Sequence, residues 1–218
     1  VLKLLPGLHV FKTEIHAANK DFFEELARSQ SPDAVFITCS DSRVVVSLLT
    51  QTNPGDLFHI RNAGNIIPPH GTPVSGEEAT LEFAVNALNV KDIIVCGHSG
   101  CGAMKGLLAP ESLENLPCVA QWLQHSAQTK ELIDKNYADL DFECKHNIAI
   151  QENVLVQLEH LRTYPFISKK LWKREINLHG WVYDIETGEV YIYNPIDEEF
   201  QPMHQFTDMS DLHSQSTV

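Results

Sequence analysis

The chain has 218 residues and a formal net charge of -13 at pH 7, from 16 Lys and Arg against 29 Asp and Glu. With a pI near 5.2 and no clustered Lys or Arg, it argues against a nucleic-acid backbone or an anionic membrane as the main partner. The length suits one α/β domain over residues 1–218, with room for a sizeable core.

The five cysteines (Cys39, Cys96, Cys101, Cys118 and Cys144) are too scattered for a disulfide framework, and an odd count fits a reducing compartment, with the cytoplasm as the default. No segment reaches the roughly 18–20 apolar residues of a spanning helix. The chain opens on Val1, which leaves room for a removed leader.

Along residues 8–27 apolar side chains recur at helical spacing (Val10, Phe11 and Ile15, then Phe22, Phe23 and Leu26). They predict a helical N-terminal extension over residues 1–29, broken near Asn19. The run AVFITC predicts a buried strand ending at Cys39. VVVSLLTQ then turns helical or irregular, and DLFHIRN is a second strand closed by the turn-rich AGNIIPPHGTP. Ser75 with Glu78 reads as a capping box, so a helix begins ahead of ATLEFAVNAL. DIIVCG is a third buried strand, followed by HSGCGAM and GLL.

Beyond Pro117, VAQWLQHSAQTKELIDKNY and KHNIAIQENVLVQLEHLRTY read as amphipathic helices, the second stopped at Tyr164-Pro165. LHGWVYDIETGEVYIYN alternates about Thr187-Gly188 as a hairpin, and the polar residues 205–218 predict a loose tail. The expected fold is therefore α/β. It has a central, mostly parallel sheet flanked by helices, with the helical N-terminal extension and a C-terminal edge strand or hairpin.

In open parallel sheets, ligands bind outside the carboxyl ends of the strands. Cys39 ends one predicted strand and His98 another, and Cys101 follows His98 in a glycine-rich turn that opens a helix. Two intervening residues let His98 and Cys101 grip one ion from a single loop while Cys39 arrives from a neighbouring strand. Two thiolates and an imidazole suit Zn²⁺ better than Mg²⁺ or Ca²⁺, and the helix N-terminus favours the Cys101 thiolate. Three protein ligands with an open fourth position describe a catalytic zinc.

In CSDSR, a charge-assisted pair with Arg43 keeps Asp41 ionised and able to accept a hydrogen bond from zinc-bound water or hydroxide. Cys39, Asp41 and Arg43 share one side if extended geometry continues past the strand. Taken singly, each residue has an ordinary structural explanation as a buried thiol, an ion pair or a core histidine. Five of them at the mouths of predicted strands favour a metal site.

CSDSR with HSGC resembles the zinc signature of the β-class carbonic anhydrases. DLFHIRNAGNIIPP, EEATLEFAVNAL, IIVCGHSGCGAMKGLL, NVLVQLEHLRTYPF and LHGWVYDIETGEV resemble the bacterial and plant-type branch, over residues 22–190. The resemblance implies reversible hydration of CO₂ to bicarbonate and a proton. It makes Cys39, His98 and Cys101 the ligands of one Zn²⁺ per subunit, with Asp41 and Arg43 as a catalytic dyad that orients a zinc-bound hydroxide. It also implies a homodimer, or a tetramer built from dimers, with active sites at the subunit contact.

Among substrate-pocket positions, the resemblance assigns Gln30 an amide facing the substrate oxygen, Phe58 an aromatic wall, and Phe83 and Gly102 further lining. Phe83 replaces a plant-type tyrosine and Ala87 a plant-type histidine, so the plant proton exit route does not carry over. His70, in PPHG, is a candidate substitute, set against an exposed loop histidine with no role. His16, His125, His146, His160, His179, His204 and His213 read as surface or packing residues, Cys96 as core, and Cys118 and Cys144 as incidental thiols.

Some family members close the site at low pH by letting the dyad aspartate bind zinc. They use a bicarbonate pocket built on a tryptophan and a glycine where this chain has Phe36 and Thr38. An open, three-ligand form without that pocket is expected here.

Carbonyl sulfide and carbon disulfide hydrolases resemble the same zinc site, and a non-catalytic zinc-binding assembly component is a competitor from another class. The longer bacterial and plant-type match favours CO₂, and a structural module has no need of Asp41 and Arg43. Two thiolates neutralise the formal charge of the ion, so the bound water should titrate above the roughly 7 seen with three histidines. Hydration activity should therefore rise towards alkaline pH in stopped-flow assays. A profile already flat from about pH 6.5 contradicts the two-thiolate assignment.

Overall fold

The computed structural model describes residues 2–206. Its centre is a six-stranded sheet of β1 (Ala34–Cys39), β2 (Leu57–Asn62), β3 (Asp92–His98), β4 (Asn177–Tyr183), β5 (Val190–Asn194) and β6 (Glu199–Pro202). The spatial order is β2-β1-β3-β4-β5-β6. The first four strands pair in parallel, and β5 and β6 add antiparallel edges, as the alternation about Thr187-Gly188 predicts. β6 extends that hairpin beyond the predicted elements.

Every residue of β1 is buried, which is why AVFITC lacks the polar alternation of a one-sided strand. Val35, Ile37 and Cys39 belong to the larger core, while Ala34 and Phe36 face a second cluster with Val46, Ile94, Cys96 and Trp181. The helices between the strands are α3 (Val46–Thr50), α4 (Gly76–Glu82), α5 (Gly102–Leu108), α6 (Pro117–Leu123), α7 (Ala127–Asn136), α8 (Phe142–Thr163) and α9 (Pro165–Trp172). Ser75 caps α4 by accepting from Glu78 N–H at 3.2 Å. The Glu78 carboxylate lies 3.3 Å from His70 Nδ1. Pro165 ends α8 and starts α9 at its first position, so the expected stop is a sharp corner between two helices.

The N-terminal extension consists of α1 (Leu5–Val10), a π-helical stretch (Phe11–His16) and α2 (Lys20–Leu26). The break falls at Asn19, whose backbone leaves helical geometry at φ -121°, ψ 35°. None of these three segments has a buried residue, although Leu4, Leu8, Phe11 and Ile15 form a stripe at helical spacing. Gln205 closes a short 3-10 turn (Met203–Gln205), Phe206 N–H donates to the Met203 carbonyl at 3.0 Å, and residues 207–218 of the expected loose tail, with His213, lie outside the described residues.

α8 crosses the sheet against β3 and β4. Its approach depends on Gly97, immediately before His98, where an added Cβ would meet Val154 Cγ2 at 3.0 Å and Ile150 Cγ2 at 3.1 Å. Gly97→Ala should accordingly destabilise the protein by about 1–3 kcal/mol in urea denaturation. Gly76→Ala is the control: nothing lies within 4 Å of its added Cβ, and the change should be neutral to within about 0.5 kcal/mol.

Candidate metal centre

The strand order creates the site. β1 has β2 on one side and β3 on the other, so the chain reverses its direction of crossover there, and a crevice opens at the carboxyl ends of β1 and β3. Cys39 is the last residue of β1 and His98 the last of β3. Cys101 stands just ahead of α5, reached through Gly100 at φ +67°, a left-handed turn that glycine adopts without strain.

The ligand atoms of Cys39, His98 and Cys101 all lie within 4.8 Å of one another, and all three residues are buried. His98 Nδ1 stands 3.0 Å from the Ser99 carbonyl, which accepts and so requires the proton on Nδ1. Nε2 therefore carries a lone pair, and this buried atom has no hydrogen-bond partner among the described residues. A buried, unsatisfied imidazole nitrogen beside two sulfurs fits a metal ion, the donor set being that of a soft or borderline cation.

The sulfurs are unequal. The Cys39 thiol is held well below its ordinary value, chiefly because the Cys101 thiol donates to it; burial opposes this, and the Gly64 N–H assists. Gly64 N–H lies 3.4 Å from Cys39 Sγ. Cys101 is pushed up by its hydrogen bond to Cys39 and by burial, which outweigh the backbone N–H groups of Met104 and Ala103. The expected stabilisation of the Cys101 thiolate by the helix start thus has the right sign but loses to the neighbouring sulfur. A cation held by Cys39, His98 and Cys101 would remove that conflict, since both sulfurs would then serve as thiolates.

Asp41 and Arg43 form a fork. Arg43 Nε donates to Asp41 Oδ1 at 2.9 Å and Nη2 to Oδ2 at 2.8 Å. The geometry does not come from continued strand alternation, because the chain turns: Val44 N–H donates to the Asp41 carbonyl at 3.1 Å. Arg43 N–H donates to Asp41 Oδ1 at 3.0 Å, so the aspartate side chain closes its own turn and delivers its partner. The Arg43 side-chain hydrogen bond holds the Asp41 carboxyl well below the usual carboxylate range. Arg43 also reaches the Gly100 carbonyl at 3.3 Å, tying the CSDSR turn to the HSGC loop. Asp41 Oδ2 lies 3.9 Å from His98 Nε2.

The pocket positions are less enclosed. Phe58 is half-buried, with its ring centroid 6.1 Å from that of Phe83, itself 47 % exposed. Gln30 and Gly102 are exposed. His70 is outside the ligand group, beside Glu78. Phe36 is fully buried, edge-on to Trp181 at 5.7 Å, and Thr38 Oγ1 donates to the Cys96 carbonyl at 2.9 Å. Cys96 is core as expected, its thiol pushed up to about 12 by burial.

Sequence reasoning missed the residues that hold backbone. Arg61 donates to the Cys39 carbonyl through Nη2 at 2.8 Å and to the Asp41 carbonyl at 3.0 Å. His146 is buried, with Nε2 2.8 Å from the Cys101 carbonyl, so it does more than pack. The available signal was a polar stripe on the buried side of a long helix, where apolar residues are the rule.

A family model described as carbonic anhydrase matches residues 34–190. The carbonic anhydrase of Synechocystis sp. is 49% identical over 199 residues, 91% of this chain and 73% of that protein. The carbonic anhydrase of Pseudomonas aeruginosa is 44% identical, over 86% of this chain and 84% of that one. The solved structure of the β-carbonic anhydrase CcaA superposes with a TM-score of 0.90 at 48% identity, covering 92% of this chain and 98% of that chain.

Metal titration of chelator-treated protein should give one tightly bound divalent ion per chain, with release of protons. His98→Ala should abolish stoichiometric binding. Undiminished binding in that variant, measured by elemental analysis after gel filtration, contradicts the ligand assignment.

Proposed function

Because this chain belongs to the β-class carbonic anhydrases and is a carbonate dehydratase, we propose that it hydrates CO₂ reversibly at a Zn²⁺ held by Cys39, His98 and Cys101. The observation that carries this reading is the unpartnered His98 Nε2 between two buried sulfurs, with the Arg43-held carboxylate of Asp41 3.9 Å away. Two sulfurs and one nitrogen favour zinc over magnesium or calcium, and three protein ligands leave the fourth position open. When bound there, zinc supplies a Lewis acid that lowers the pKa of water towards neutrality.

The chain's own residues do the rest. Asp41, kept ionised by Arg43 and by the Arg43 backbone N–H, accepts a hydrogen bond from the O–H of the attacking water and aims the oxygen lone pair at the carbon of CO₂. One C–O bond forms, one proton leaves to solvent, and the product is bicarbonate. Asp41 is held well below the usual carboxylate range, so it stays a hydrogen-bond acceptor throughout the working pH range and adds no titration of its own. The fork also engages both carboxylate oxygens, which supports the open form with Asp41 outside the metal's ligand set.

Gln30, Phe58, Phe83 and Gly102 line the substrate side in this reading. They are open to solvent or half-buried within one chain, which fits a pocket completed by a second copy. A homodimer or dimer-based tetramer also accounts for the N-terminal helices, in which no residue is buried among the described residues although they carry an apolar stripe. The similar Sordaria macrospora β-carbonic anhydrases, 29% identical with a TM-score of 0.77, are tetrameric. The five free thiols agree with a cytoplasmic location, and among the described residues no helix is long and apolar enough to cross a membrane.

Stopped-flow CO₂ hydration on zinc-loaded protein tests the proposal, with sulfide release from carbonyl sulfide measured alongside. Asp41→Asn should lower the hydration rate about 100-fold while zinc content stays at one per chain. A zinc-loaded wild type that hydrates CO₂ no faster than buffer would point to a non-catalytic zinc module, an unchanged rate in Asp41→Asn would remove Asp41 from the chemistry, and sulfide release faster than CO₂ hydration would reassign the substrate.

A further inference from the structure

One face of α8 carries His146, Asn153, Gln157 and His160, successively seven, four and three residues apart, so their side chains leave the same side of the helix. That face is turned into the protein: Asn153 is 1% exposed and Gln157 fully buried. Burying two carboxamides is costly unless every donor and acceptor finds a partner. Here the partners are backbone groups of the loop between Asn62 and His70, the loop that presents Gly64 N–H to Cys39 Sγ at 3.4 Å.

The polarity of the network is fixed at both ends. Ile67 N–H can only donate, and it donates to Gln157 Oε1 at 2.9 Å. Gln157 Nε2 must then face inward, where it donates to Asn153 Oδ1 at 3.0 Å and to Ser126 Oγ at 3.2 Å. Ser126 Oγ, itself fully buried, donates to Asn153 Oδ1 at 2.9 Å. Asn153 Nδ2 is thereby turned outward and donates at 3.0 Å to the Gly64 carbonyl, which can only accept. Neither amide can flip without breaking a bond to a backbone group whose role is invariant.

Gly64 has little freedom of its own once so held. Its φ is +87°, and a Cβ there would meet Ala103 Cβ at 3.0 Å, so the residue is wedged against the first turn of α5 beside Cys101. Its carbonyl is gripped by α8 and its amide points at the Cys39 sulfur. A donor aimed at a thiolate withdraws charge from it and fixes its direction, which adjusts how strongly that sulfur binds a cation.

We infer that Asn153 and Gln157 are positioning residues for the metal centre, holding the Gly64 amide on Cys39 Sγ from a helix that supplies no metal ligand. The inference rests on the zinc reading of Cys39, His98 and Cys101. It predicts that a change buried in α8 alters the character of a sulfur it does not touch.

Cobalt(II)-substituted protein supplies a readout that general stability does not move, because the sulfur-to-cobalt charge-transfer band reports the electron density on the thiolates. Asn153→Leu should shift that band to longer wavelength, as Cys39 loses a hydrogen bond, and weaken zinc binding about 10- to 100-fold in chelator competition. Gln157→Glu keeps the acceptor for Ile67 N–H but loses the donor to Asn153, so it should shift the band the same way and serves if Asn153→Leu does not fold. Leu161→Ala, a fully buried apolar position on the same helix, should lower the melting temperature and leave the band and zinc affinity unchanged.

Wild-type spectra and affinities in both amide variants, or an equal shift in Leu161→Ala, would overturn the inference. Wild-type protein that fails to take up cobalt or zinc would instead remove the metal reading beneath it.

Discussion

The parallel pairing of β1 with β3 is the constraint on which the rest of the molecule depends. Thr38 stands opposite Cys96 in that register, so Cys39 and His98 finish their strands at the same rim. A slip of one residue would turn Cys39 to the opposite face of the sheet and exchange it for a neighbour. Both faces of β1 are covered by apolar side chains of different size, so the close packing of the two clusters resists such a slip. The same packing that stabilises the sheet therefore aligns two of the three candidate metal ligands.

Around those ligands, charge is distributed by position. The buried sulfurs share a low-dielectric site in which one thiol supports the ionisation of the other, and an ion between them relieves the conflict. The charged pair Asp41–Arg43 sits at the solvent edge, where desolvation costs least, with the Arg43 side chain about half exposed. Fork geometry and the aspartate's own turn, more than bulk Coulomb attraction, hold this pair in place. Arg61 performs a third task by holding the carbonyls of Cys39 and Asp41, so that the strand end and the turn move as one unit.

Two parts of the chain show how far secondary structure serves ends beyond itself. α8 is the longest helix among the described residues, and its buried side mixes Ala149, Ile150 and Val154 with His146, Asn153 and Gln157. Ile150 and Val154 pack on the sheet at Gly97, while the polar members each meet a backbone group near the candidate metal centre or the loop beside it. The N-terminal helices have the reverse character. They carry an apolar stripe of which no member is buried among the described residues, and short helices are marginal in water without such packing.

What the sequence by itself determined was local: strands where apolar runs are short and β-branched, a cap at Ser75, a corner at Pro165, a hairpin about Gly188. It also placed the three candidate donors, since CSDSR and HSGC contain Cys39, His98 and Cys101. What only the tertiary structure decided was how backbone groups are shared between distant segments. The Asp41 turn replaced the expected strand geometry because a side-chain hydrogen bond to a backbone N–H two residues away outcompeted extension. Gly64 N–H on Cys39, Asn153 on Gly64, His146 on Cys101 and Arg61 on Cys39 join residues 22 to 89 positions apart. No periodicity records such pairs, because a buried amide or imidazole is chosen by the one carbonyl or N–H it must satisfy, and that partner is brought near only when the sheet and α8 pack.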